Sequence, residues 1–411
     1  MVEIKQNKFW YGVTKIASGL TAKFIFKRKF IRNEIKGKSG PFVVIANHEA
    51  AFDFVNLIGA TKTPMHFVIS HSFFSTIPVK GIMEKTGMID KQQFQTSIKD
   101  ISRMKAVIDQ GKILALYPAG LMSEDGLPTP TPIATTQFLK WLGADIYVAK
   151  TQGSYFVMPK WRKNGFRPGK TTIDIYKLIS KEELADIELA ELDKRVNEAL
   201  SFDAYRDQEA NPVKYKGADN IEGLENVLYM CPHCKAEFSM RVKNKNTIYC
   251  EKCGFTEESD KYGFLHKIGE VGEEIRYVSD WSRLIYNDFK AKIESGENVE
   301  LSSDTTIHMI DYDKRKFVEV GSGNLSFCTD GLHLKGTVNG EEMEMCVPTS
   351  TFPSLPFKPG KYIELQHGKE IFRCYLNDGA LVMKFVNFVK ISYELNAHMH
   401  AEHLHRVEQH S

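Results

Sequence analysis

Two closely spaced pairs of cysteines dictate the structure of one part of this chain. Cys231 and Cys234 form the first pair, Cys250 and Cys253 form the second, and 15 residues separate the pairs. That spacing lies within the range of four-thiolate zinc sites, and a small turn follows each pair, as in a zinc ribbon. Four thiolates complete the tetrahedral coordination of zinc and leave no position for a substrate. We therefore predict a zinc ribbon over residues 222–262 with a structural zinc ion.

The compartment follows from the same cysteines together with the N-terminal pattern. Lys15 and Lys23 interrupt the N-terminal apolar residues, which excludes a typical signal peptide, and no apolar run reaches 18 residues. Paired cysteines in a chain without a secretion signal favour metal binding over disulfides, so we expect a cytoplasmic protein. The other three cysteines lie in apolar, strand-like contexts and are predicted to be core thiols: Cys328, Cys346 and Cys374.

Net charge argues against one class of partner. The chain has 411 residues, a formal net charge of +2 and 42% hydrophobic residues. At roughly 150 residues per domain this length suggests two or three domains, and the composition supplies enough apolar residues for their cores. A near-neutral balance gives no electrostatic basis for binding nucleic acid, so a zinc-ribbon protein of that class is disfavoured and no nucleic-acid partner is expected.

Residues 1–38 combine basic and apolar side chains. Ten lysines and arginines stand there against two acidic residues, Glu3 and Glu34, and aromatic and aliphatic residues alternate with them. Such a segment can lie in the interface of an anionic membrane with its apolar face down and its lysines extended to the water. The alternative is a solvated helix whose apolar side packs on the domain behind it. We favour the membrane interpretation, which predicts a peripheral protein on the inner face of the membrane.

The pattern over residues 39–215 alternates between strands and helices. Ser97 and Ser180 each precede an acidic residue by three positions and are predicted to begin helices. The short β-rich runs are 42–46, 113–117, 146–150 and 172–176. This order indicates an α/β fold with a mixed sheet flanked by helices, and the composition change after Pro212 places a boundary near Gly217.

The C-terminal third changes character. Ser279 or Asp280 is predicted to begin a linking helix over residues 279–296, and residues 300–395 show short strands separated by Gly, Asn and Asp turns. That spacing suits a small β-barrel or sandwich. With its helical candidate at 381–389, the module resembles a PH- or GRAM-like domain in pattern. The tail at 396–411 carries five histidines, for which we favour a frayed terminus over a metal site.

A histidine and an aspartate follow the first predicted strand. They occur in the run Asn47-His48-Glu-Ala-Ala-Phe-Asp53. Five residues span about 500° of an ideal helix, so the two side chains can meet only if His48 precedes the helix and Asp53 lies within it. Asn47 is a suitable N-cap for that arrangement. Asp53 would then accept the Nδ1 proton of His48 and leave Nε2 free as a general base. A helix cap without catalysis is the alternative.

Two further blocks accompany this pair, Gly87-Met-Ile-Asp-Lys91 and Tyr117-Pro-Ala-Gly-Leu-Met-Ser123. The second of them leaves the end of a predicted strand. Because open α/β sheets bind ligands beyond the carboxyl ends of their strands, this block and the His48 run are expected to face one crevice.

In this order and spacing, the three blocks resemble the glycerolipid acyltransferase superfamily, which includes the lysophosphatidic acid acyltransferases, over about residues 10–200. The family pattern N-H-x-x-x-x-D is matched by Asn47, His48 and Asp53; G-x-x-F-I-D-R is approximated by Gly87, Ile89, Asp90 and Lys91; F-P-E-G-T-R-S is partly met by Tyr117, Pro118, Gly120 and Ser123. The resemblance implies a catalytic role for His48 and Asp53. It further implies substrate binding by Asn47, Asp90, Lys91, Pro118, Gly120 and Ser123.

Two departures concern the acceptor. Ala119 stands where the family has Glu, and Met122 stands where it has an Arg that is thought to hold the acceptor phosphate. A methionine cannot form that charged fork. Either the acceptor lacks a glycerol-linked phosphate or another cation supplies the contact, and the candidates are Lys91, Lys150, Lys160 and Arg162.

The resemblance implies an acyltransferase that moves a fatty acyl group from acyl-CoA or acyl-ACP to a lipid hydroxyl. No serine or cysteine nucleophile is required, and no G-x-S-x-G motif is present. The expected partners are a membrane lipid acceptor, an anionic membrane surface and, as one candidate donor, an acyl carrier protein. The alternative is a non-catalytic, lipid-binding scaffold that keeps the fold; retention of His48 and Asp53 favours the enzyme, and loss of the phosphate clamp favours the scaffold.

Overall fold

The computed structural model describes residues 4–93, 97–163, 165–297, 299–328, 331–349 and 353–408, with side chains described as far as residue 396. The chain divides into two compact units. The first comprises Met1–Asn220 and Ser259–Leu265, and the second comprises Ile221–Glu258 and His266–Ser411.

The described part of the first unit contains seven strands and ten helices. The strands are β1 (Lys29–Asn33), β2 (Phe42–Ala46), β3 (Met65–Ser70), β4 (Ile89–Lys91), β5 (Ile113–Leu116), β6 (Asp145–Gln152) and β7 (Thr172–Ile179). The helices are α1 (Lys8–Phe24), α2 (Asp53–Leu57), α3 (His71–Thr76), α4 (Lys80–Lys85), α5 (Ile98–Asp109), α6 (Ile133–Leu142), α7 (Ser154–Val157), α8 (Lys181–Asp186), α9 (Leu189–Leu200) and α10 (Ala204–Ala210).

These strands form one mixed sheet in the order β1-β7-β6-β2-β5-β3-β4. Strands β6, β2, β5, β3 and β4 run parallel to one another, whereas β7 is antiparallel to β6 and carries β1 parallel to itself. Every residue of β2 is buried; Val43 and Ile45 enter one apolar core and Val44 enters the other. A strand covered on both faces reads as a continuous apolar run, as this one does. The carboxyl ends of β2, β5 and β3 share one edge of the sheet.

The predicted strands are all present, and β6 and β7 extend beyond their predicted ends. Ser180 forms the predicted capping box with Glu183, and the Ser97 hydroxyl accepts a hydrogen bond from the Asp100 N–H. The helix predicted after Ser180 is two helices, because the chain is extended at Ile187 between α8 and α9.

Helix α1 exposes a row of large apolar side chains. Its buried residues are Tyr11, Ser18 and Ala22. Its large apolar side chains lie at helical spacing and are exposed, at 69% for Phe9, 68% for Ile16, 54% for Leu20 and 61% for Phe24. The alternative interpretation expected the apolar side of this helix to pack on the domain. In the described residues, these large apolar side chains are exposed instead. Among those residues, no helix combines the length and apolarity needed to cross a bilayer.

A four-stranded sheet follows the first cysteine pair, and Cys250 of the second pair ends one of its strands. Its strands are β8 (Met240–Lys243), β9 (Thr247–Cys250), β10 (Thr256–Ser259) and β11 (Leu265–Lys267), in the order β11-β10-β9-β8. A 3₁₀ turn at Leu224–Asn226 precedes them, and helix α11 (Val278–Glu294) follows. The linking helix thus begins at Val278, with Tyr277 in the cap position, rather than at a Ser279 or Asp280 cap, because Tyr277 already has extended backbone angles.

The remaining strands of the second unit form an antiparallel sheet compatible with a barrel-like domain. The order is β15-β14-β13-β12-β18-β17-β16. The strands are β12 (Ser302–Asp311), β13 (Lys316–Cys328), β14 (Gly331–Val338), β15 (Glu341–Val347), β16 (Phe357–Lys358), β17 (Tyr362–His367) and β18 (Glu370–Leu376), and helix α12 (Leu381–Glu408) ends the described chain.

Two predictions for this region need correction. Cys374 is buried, but Cys328 and Cys346 are exposed, so the core-thiol prediction is wrong for those two. Cys328 ends β13, and Cys346 lies on the exposed face of β15 at the sheet edge, where alternate residues face water. Helix α12 runs far beyond the predicted residue 389; the side chains of the tail histidines on it, and His410 altogether, lie outside the described residues.

Candidate active site

The histidine and the aspartate of the first block meet at the carboxyl end of β2. His48 lies in the loop after Ala46, and Asp53 is the first residue of α2. The His48 Nδ1 atom is 3.0 Å from Asp53 Oδ2, and the same oxygen accepts hydrogen bonds of 2.8 Å from the N–H groups of Glu49 and Ala50. Asp53 is fully buried. These three contacts converge on one oxygen, and the contact with Nδ1 orients the imidazole with Nε2 available for proton transfer.

Asn47 has a different place from the predicted N-cap. Helix α2 begins six residues later, and Phe52 occupies its cap position. The Asn47 side chain instead pairs with the backbone of Thr151 on β6, accepting from its N–H at 2.7 Å and donating to its carbonyl at 2.8 Å. Asn47 therefore ties the His48 loop to the neighbouring strand.

Tyr117 covers the imidazole. The rings of Tyr117 and His48 stack with centroids 4.4 Å apart and planes 29° apart. The Tyr117 hydroxyl is buried, and no hydrogen-bond partner for it occurs among the described residues. Burial, and then the nearby charge of Asp53, raise the pKa of Tyr117 well above its usual value, so its phenol stays neutral. The sequence block included Tyr117, but no pattern indicated this stacking.

The loop after β5 is joined to the His48 loop through the backbone. The Ser123 N–H donates to the His48 carbonyl at 3.0 Å, and the Ser123 hydroxyl accepts from the Gly126 N–H at 2.8 Å. Pro118 is buried and Gly120 has a φ of 70° within a tight turn. Because Ser123 is fully buried, its hydroxyl supports the loop in this structure.

Asp90 and Lys91 lie on β4, at the same edge of the sheet. Both carboxylate oxygens of Asp90 approach His71 Nδ1, at 2.9 and 3.0 Å, which makes a second histidine–carboxylate pair that sequence reasoning missed. The Lys91 ammonium donates to the Gln92 carbonyl at 2.9 Å. Burial lowers the pKa of Lys91, and the charge of Asp100 partly opposes that shift.

Four basic residues were candidates to replace the arginine that the family has at the Met122 position. Of these, Lys160 reaches the backbone of the Met122 loop. Its ammonium is 3.4 Å from the Met122 carbonyl, and the residue is only 4% exposed. Arg162 donates to the Gly217 carbonyl at 3.3 Å, and Lys150 is half-buried on β6.

Glu49 is a further buried carboxyl beside the pair. It is fully buried, and its Oε2 accepts from the Tyr155 N–H at 3.0 Å. Burial, and then the charge of Asp53, raise the pKa of Glu49 well above its usual value. A glutamate in a loop is normally exposed to solvent, so nothing in the sequence indicated that Glu49 is buried beside the pair.

A cleft opens beside His48. Its volume is about 330 Å³. Its lining includes Asn47, His48, Ala119, Leu121, Leu200 and Phe202. Apart from His48, no described residue that lines it has an ionisable side chain.

In the second unit, the four predicted metal ligands converge. The Sγ atoms of Cys231, Cys234, Cys250 and Cys253 lie within 4.8 Å of one another, with 3.6 Å from Cys231 to Cys253 and 3.8 Å from Cys234 to Cys250. A tetrahedral zinc with Zn–S bonds of about 2.3 Å has S–S edges of about 3.8 Å. All four are free thiols, so the residues present fit a four-thiolate metal site.

The turns around these cysteines fit the same site. The Lys235 N–H donates to the Cys231 carbonyl at 3.1 Å, and the Gly254 N–H donates to the Cys250 carbonyl at 3.0 Å. Lys235 and Gly254 have positive φ values, 61° and 80°. The Ser239 hydroxyl approaches Cys250 Sγ at 3.3 Å. Each Cys-x-x-Cys pair thus closes into the tight turn expected from its sequence.

Comparison with known proteins supports the resemblance carried by the three blocks. Residues 27–157 match a family model described as Acyltransferase. Over 183 residues, 44% of this chain, the sequence is 24% identical to a 1-acyl-sn-glycerol-3-phosphate acyltransferase of Chlamydomonas reinhardtii. The chain spans about half the length of that curated relative, 53%.

Among solved structures, the chain is similar to the 1-acyl-sn-glycerophosphate acyltransferase PlsC of Thermotoga maritima. The TM-score is 0.40 at 19% sequence identity, over 50% of this chain and 79% of that one. The family-model match contains all three blocks, from Asn47 to Ser123.

Proposed function

We propose that the first unit is an acyltransferase that moves a fatty acyl group from acyl-CoA or acyl-ACP to a lipid hydroxyl, with a lysophospholipid or a related lipid as acceptor. The observation that carries the proposal is the hydrogen bond between His48 and buried Asp53, inside the segment that matches the acyltransferase family model and at the wall of a cleft.

The proposed reaction is a direct transfer. His48 Nε2 takes the proton of the acceptor hydroxyl while that oxygen attacks the thioester carbonyl and the carbon–oxygen bond forms. The tetrahedral intermediate collapses, the carbon–sulfur bond breaks, and the leaving thiolate takes the proton from the imidazolium. Asp53 holds the imidazole tautomer and stabilises the imidazolium in between. The Tyr117 ring keeps the imidazole in its plane.

The developing oxyanion needs hydrogen-bond donors near His48. Backbone N–H groups of the loop after Tyr117 are suitable, because fixed amide dipoles stabilise charge without reorganisation. Ala119 and Leu121 of that loop line the cleft, so their N–H groups are the proposed donors. The Gly120 N–H is already bonded to the Tyr117 carbonyl.

The proposed substrate contacts follow the three blocks. Asn47, Pro118, Gly120 and Ser123 act by shaping the two loops, and Asp90 and Lys91 contribute from β4, two strands from β5. For an acceptor with a phosphate, Lys160 supplies the charge that Met122 lacks, since its buried ammonium already lies at that loop.

Membrane attachment is proposed through α1. Its exposed apolar stripe, Phe9, Ile16, Leu20 and Phe24, would enter the interface, while the lysines of residues 4–38 contact anionic lipid head groups. This would place the protein peripherally on the inner, cytoplasmic face of the membrane.

The second unit is proposed to be an accessory module. A structural zinc at Cys231, Cys234, Cys250 and Cys253 would hold residues 222–262 as a zinc ribbon, and the antiparallel sheet with α12 would form a PH-like domain. Zinc would supply the cross-link that joins the two cysteine turns.

An acceptor panel tests the activity. Thiol release from palmitoyl-CoA should rise above background hydrolysis when lysophosphatidic acid, another lysophospholipid or monoacylglycerol is added on anionic vesicles. The Lys160→Gln variant should lose the lysophosphatidic acid reaction more than the monoacylglycerol reaction, whereas Lys163→Gln, at an exposed neighbouring position, should change neither. Failure of every acceptor would contradict the proposal and favour the lipid-binding scaffold.

A further inference from the structure

One side chain joins the loops that follow β4 and β5. The Gln93 side-chain amide donates a hydrogen bond to the Gly120 carbonyl at 2.5 Å. Strand β3 lies between β4 and β5 in the sheet, so the loop after β4 crosses the end of β3 to make this contact. The Lys91 ammonium donates to the Gln92 carbonyl at 2.9 Å and holds the backbone just before Gln93. The second and third sequence blocks are therefore joined by a residue that belongs to neither.

This hydrogen bond sets the direction of one peptide group. The Gly120 carbonyl and the Leu121 N–H belong to the same planar trans peptide, so they point in opposite directions. Because Gln93 holds the carbonyl on the side of the loop after β4, the Leu121 N–H is turned away from that loop. The turn is also closed from within, since the Gly120 N–H donates to the Tyr117 carbonyl at 3.0 Å. Gly120 has a φ of 70°, which a glycine adopts without strain.

The Leu121 N–H is a donor that the fold leaves unused. Among the described residues it has no hydrogen-bond partner, although Leu121 is only 6% exposed. Buried backbone N–H groups are nearly always paired, so an unpaired one at the wall of a cleft indicates a ligand. Leu121 lines the same cleft as His48, and Gln93 is not part of that lining.

We propose that Gln93 is a positioning residue that orients the Gly120–Leu121 peptide so that the Leu121 N–H faces the oxyanion of the acyl transfer. The inference rests on the proposed function, which requires a donor at this loop. When the acceptor oxygen attacks, the electron pair of the carbonyl double bond moves onto the carbonyl oxygen, which accepts from the Leu121 N–H. The pair returns when the carbon–sulfur bond breaks. A donor that already points at this oxygen requires no reorganisation during the reaction.

A short series of variants separates the hydrogen bond from the space that Gln93 fills. Gln93→Met keeps the length of the side chain and removes the donor, whereas Gln93→Lys restores a donor. Gln137→Met makes the first substitution at an exposed position of α6 that does not line the cleft. Acceptor-dependent thiol release from palmitoyl-CoA gives kcat and KM for each protein.

We expect Gln93→Met to lower kcat by roughly 10-fold to 10²-fold, because the donor is misdirected rather than removed. KM should stay within about threefold of wild type, because the oxyanion forms only after substrate has bound. Gln93→Lys should recover most of the lost kcat, and Gln137→Met should match wild type. Unchanged kinetics of Gln93→Met, a raised KM at unchanged kcat, or a Gln93→Lys variant no faster than Gln93→Met would overturn the inference.

A spectroscopic measurement follows the same peptide without acyl transfer. Labelling with ¹³C-carbonyl glycine and ¹⁵N-leucine selects the five Gly-Leu pairs of the chain, and loss of one signal in Leu121→Ile assigns the pair Gly120–Leu121. We expect its carbonyl shift to move in Gln93→Met and to return toward wild type in Gln93→Lys. These shifts without thiol release by wild type for any acceptor would refute the proposed function while confirming that Gln93 directs this peptide. An unmoved signal, with thiol release that requires His48, would overturn the inference and leave the proposed function standing.

Discussion

At the scale of single residues, Asp53 holds both the conformation of the loop and the orientation of the His48 imidazole. Its Oδ2 accepts two backbone N–H groups of the loop and faces His48 Nδ1, so one carboxylate folds the turn and holds the imidazole. Hydrogen bonds to a charged group contribute about 1.5–3 kcal/mol each. The loop geometry depends on the hydrogen bonds that this oxygen accepts, whereas the proposed chemistry depends also on its charge.

Replacing that charge should separate chemistry from fold. We expect Asp53→Asn to lower kcat by about 10²–10⁴-fold, because the amide fills the same space but no longer stabilises the imidazolium. Thiol release gives kcat, and circular dichroism reports the fold. Asp109→Asn removes an exposed carboxylate that pairs with Lys105 and should leave kcat unchanged. A kcat for Asp53→Asn within threefold of wild type would contradict the assigned role.

A buried carboxyl outside the candidate site, Glu257, makes stability depend on pH. Glu257 in β10 is fully buried, and burial raises its pKa to about 8. Because the folded-state pKa exceeds the unfolded value, this group stabilises the fold fully below the unfolded pKa of about 4.3. That stabilisation is lost as the pH rises through about 8.

Glu257→Gln should flatten this dependence, since the amide oxygen can still accept from the Ile275 N–H and cannot ionise. The slope attributable to Glu257 is at most about 1.4 kcal/mol per pH unit. Urea unfolding of both proteins between pH 5 and 8 measures it. Parallel stability curves for variant and wild type would show that Glu257 does not titrate in that window.

The sequence predicted some contacts of the candidate site residues and missed others. The spacing of His48 and Asp53 predicted their hydrogen bond and the position of Asp53 within a helix. It misplaced Asn47, because an amide after a strand is equally suited to cap a helix or to pair with a neighbouring strand. It could not predict the contact between His71 and Asp90, because these residues are 19 positions apart and meet only through strand pairing.

At the scale of elements, α1 exposes a row of large apolar side chains to solvent. Tyr11, Ser18 and Ala22 are its buried residues, whereas Phe9, Ile16, Leu20 and Phe24 are exposed. Exposed apolar stripes of this kind mark interaction sites. The flanking lysines make an anionic membrane the proposed partner.

Replacing two residues of the stripe should weaken membrane binding. Burying one large apolar side chain contributes roughly 1.5–3 kcal/mol, so Ile16→Ser with Leu20→Ser should lower partitioning onto anionic vesicles by more than tenfold. Vesicle co-sedimentation measures this. Ala17→Ser, at an exposed position of the same helix, serves as the control. Unchanged sedimentation of the double variant would move the membrane contact away from α1.

Sequence missed three strands of the first unit, β1, β3 and β4, although β3 lies inside the sheet and is mostly buried. Strand β4 has three residues, and β1 is an edge strand whose residues are half-buried or exposed, so neither shows a buried apolar run. Strand β2, buried on both faces, was unmistakable. The break between α8 and α9 was hidden because Ile187 continues the apolar spacing of both helices.

At the scale of the whole molecule, the cysteine cluster lies in a unit whose core reaches it directly. Trp281 of α11 is fully buried, its Nε1 donates to the Met230 carbonyl at 2.9 Å, and its ring contacts Phe255 with centroids 5.7 Å apart. Both contacts lie beside cysteine turns. The zinc ribbon was predicted from its cysteines alone. The sequence could not show that residues 259–265 group with the first unit. There, the Tyr262 carbonyl accepts a hydrogen bond from the Gln208 side-chain amide.

Metal removal should therefore unfold more than the turns. We expect about one zinc per chain, and a chelator should lower the thermal transition and shift Trp281 emission to longer wavelength, because structural zinc sites contribute directly to folding. The Trp281→Phe variant identifies which part of the emission change belongs to that residue. A folded, metal-free preparation with unchanged stability would contradict a structural zinc.

The central claim is that His48 acts as the base in acyl transfer. Acceptor-dependent thiol release from an acyl thioester, measured for wild type and for His48→Ala at equal zinc content and with matching circular dichroism, tests it most directly. We predict steady release with wild type and a loss of at least 10²-fold with His48→Ala, as expected for removal of a general base. Equal release by the two proteins would contradict the mechanism.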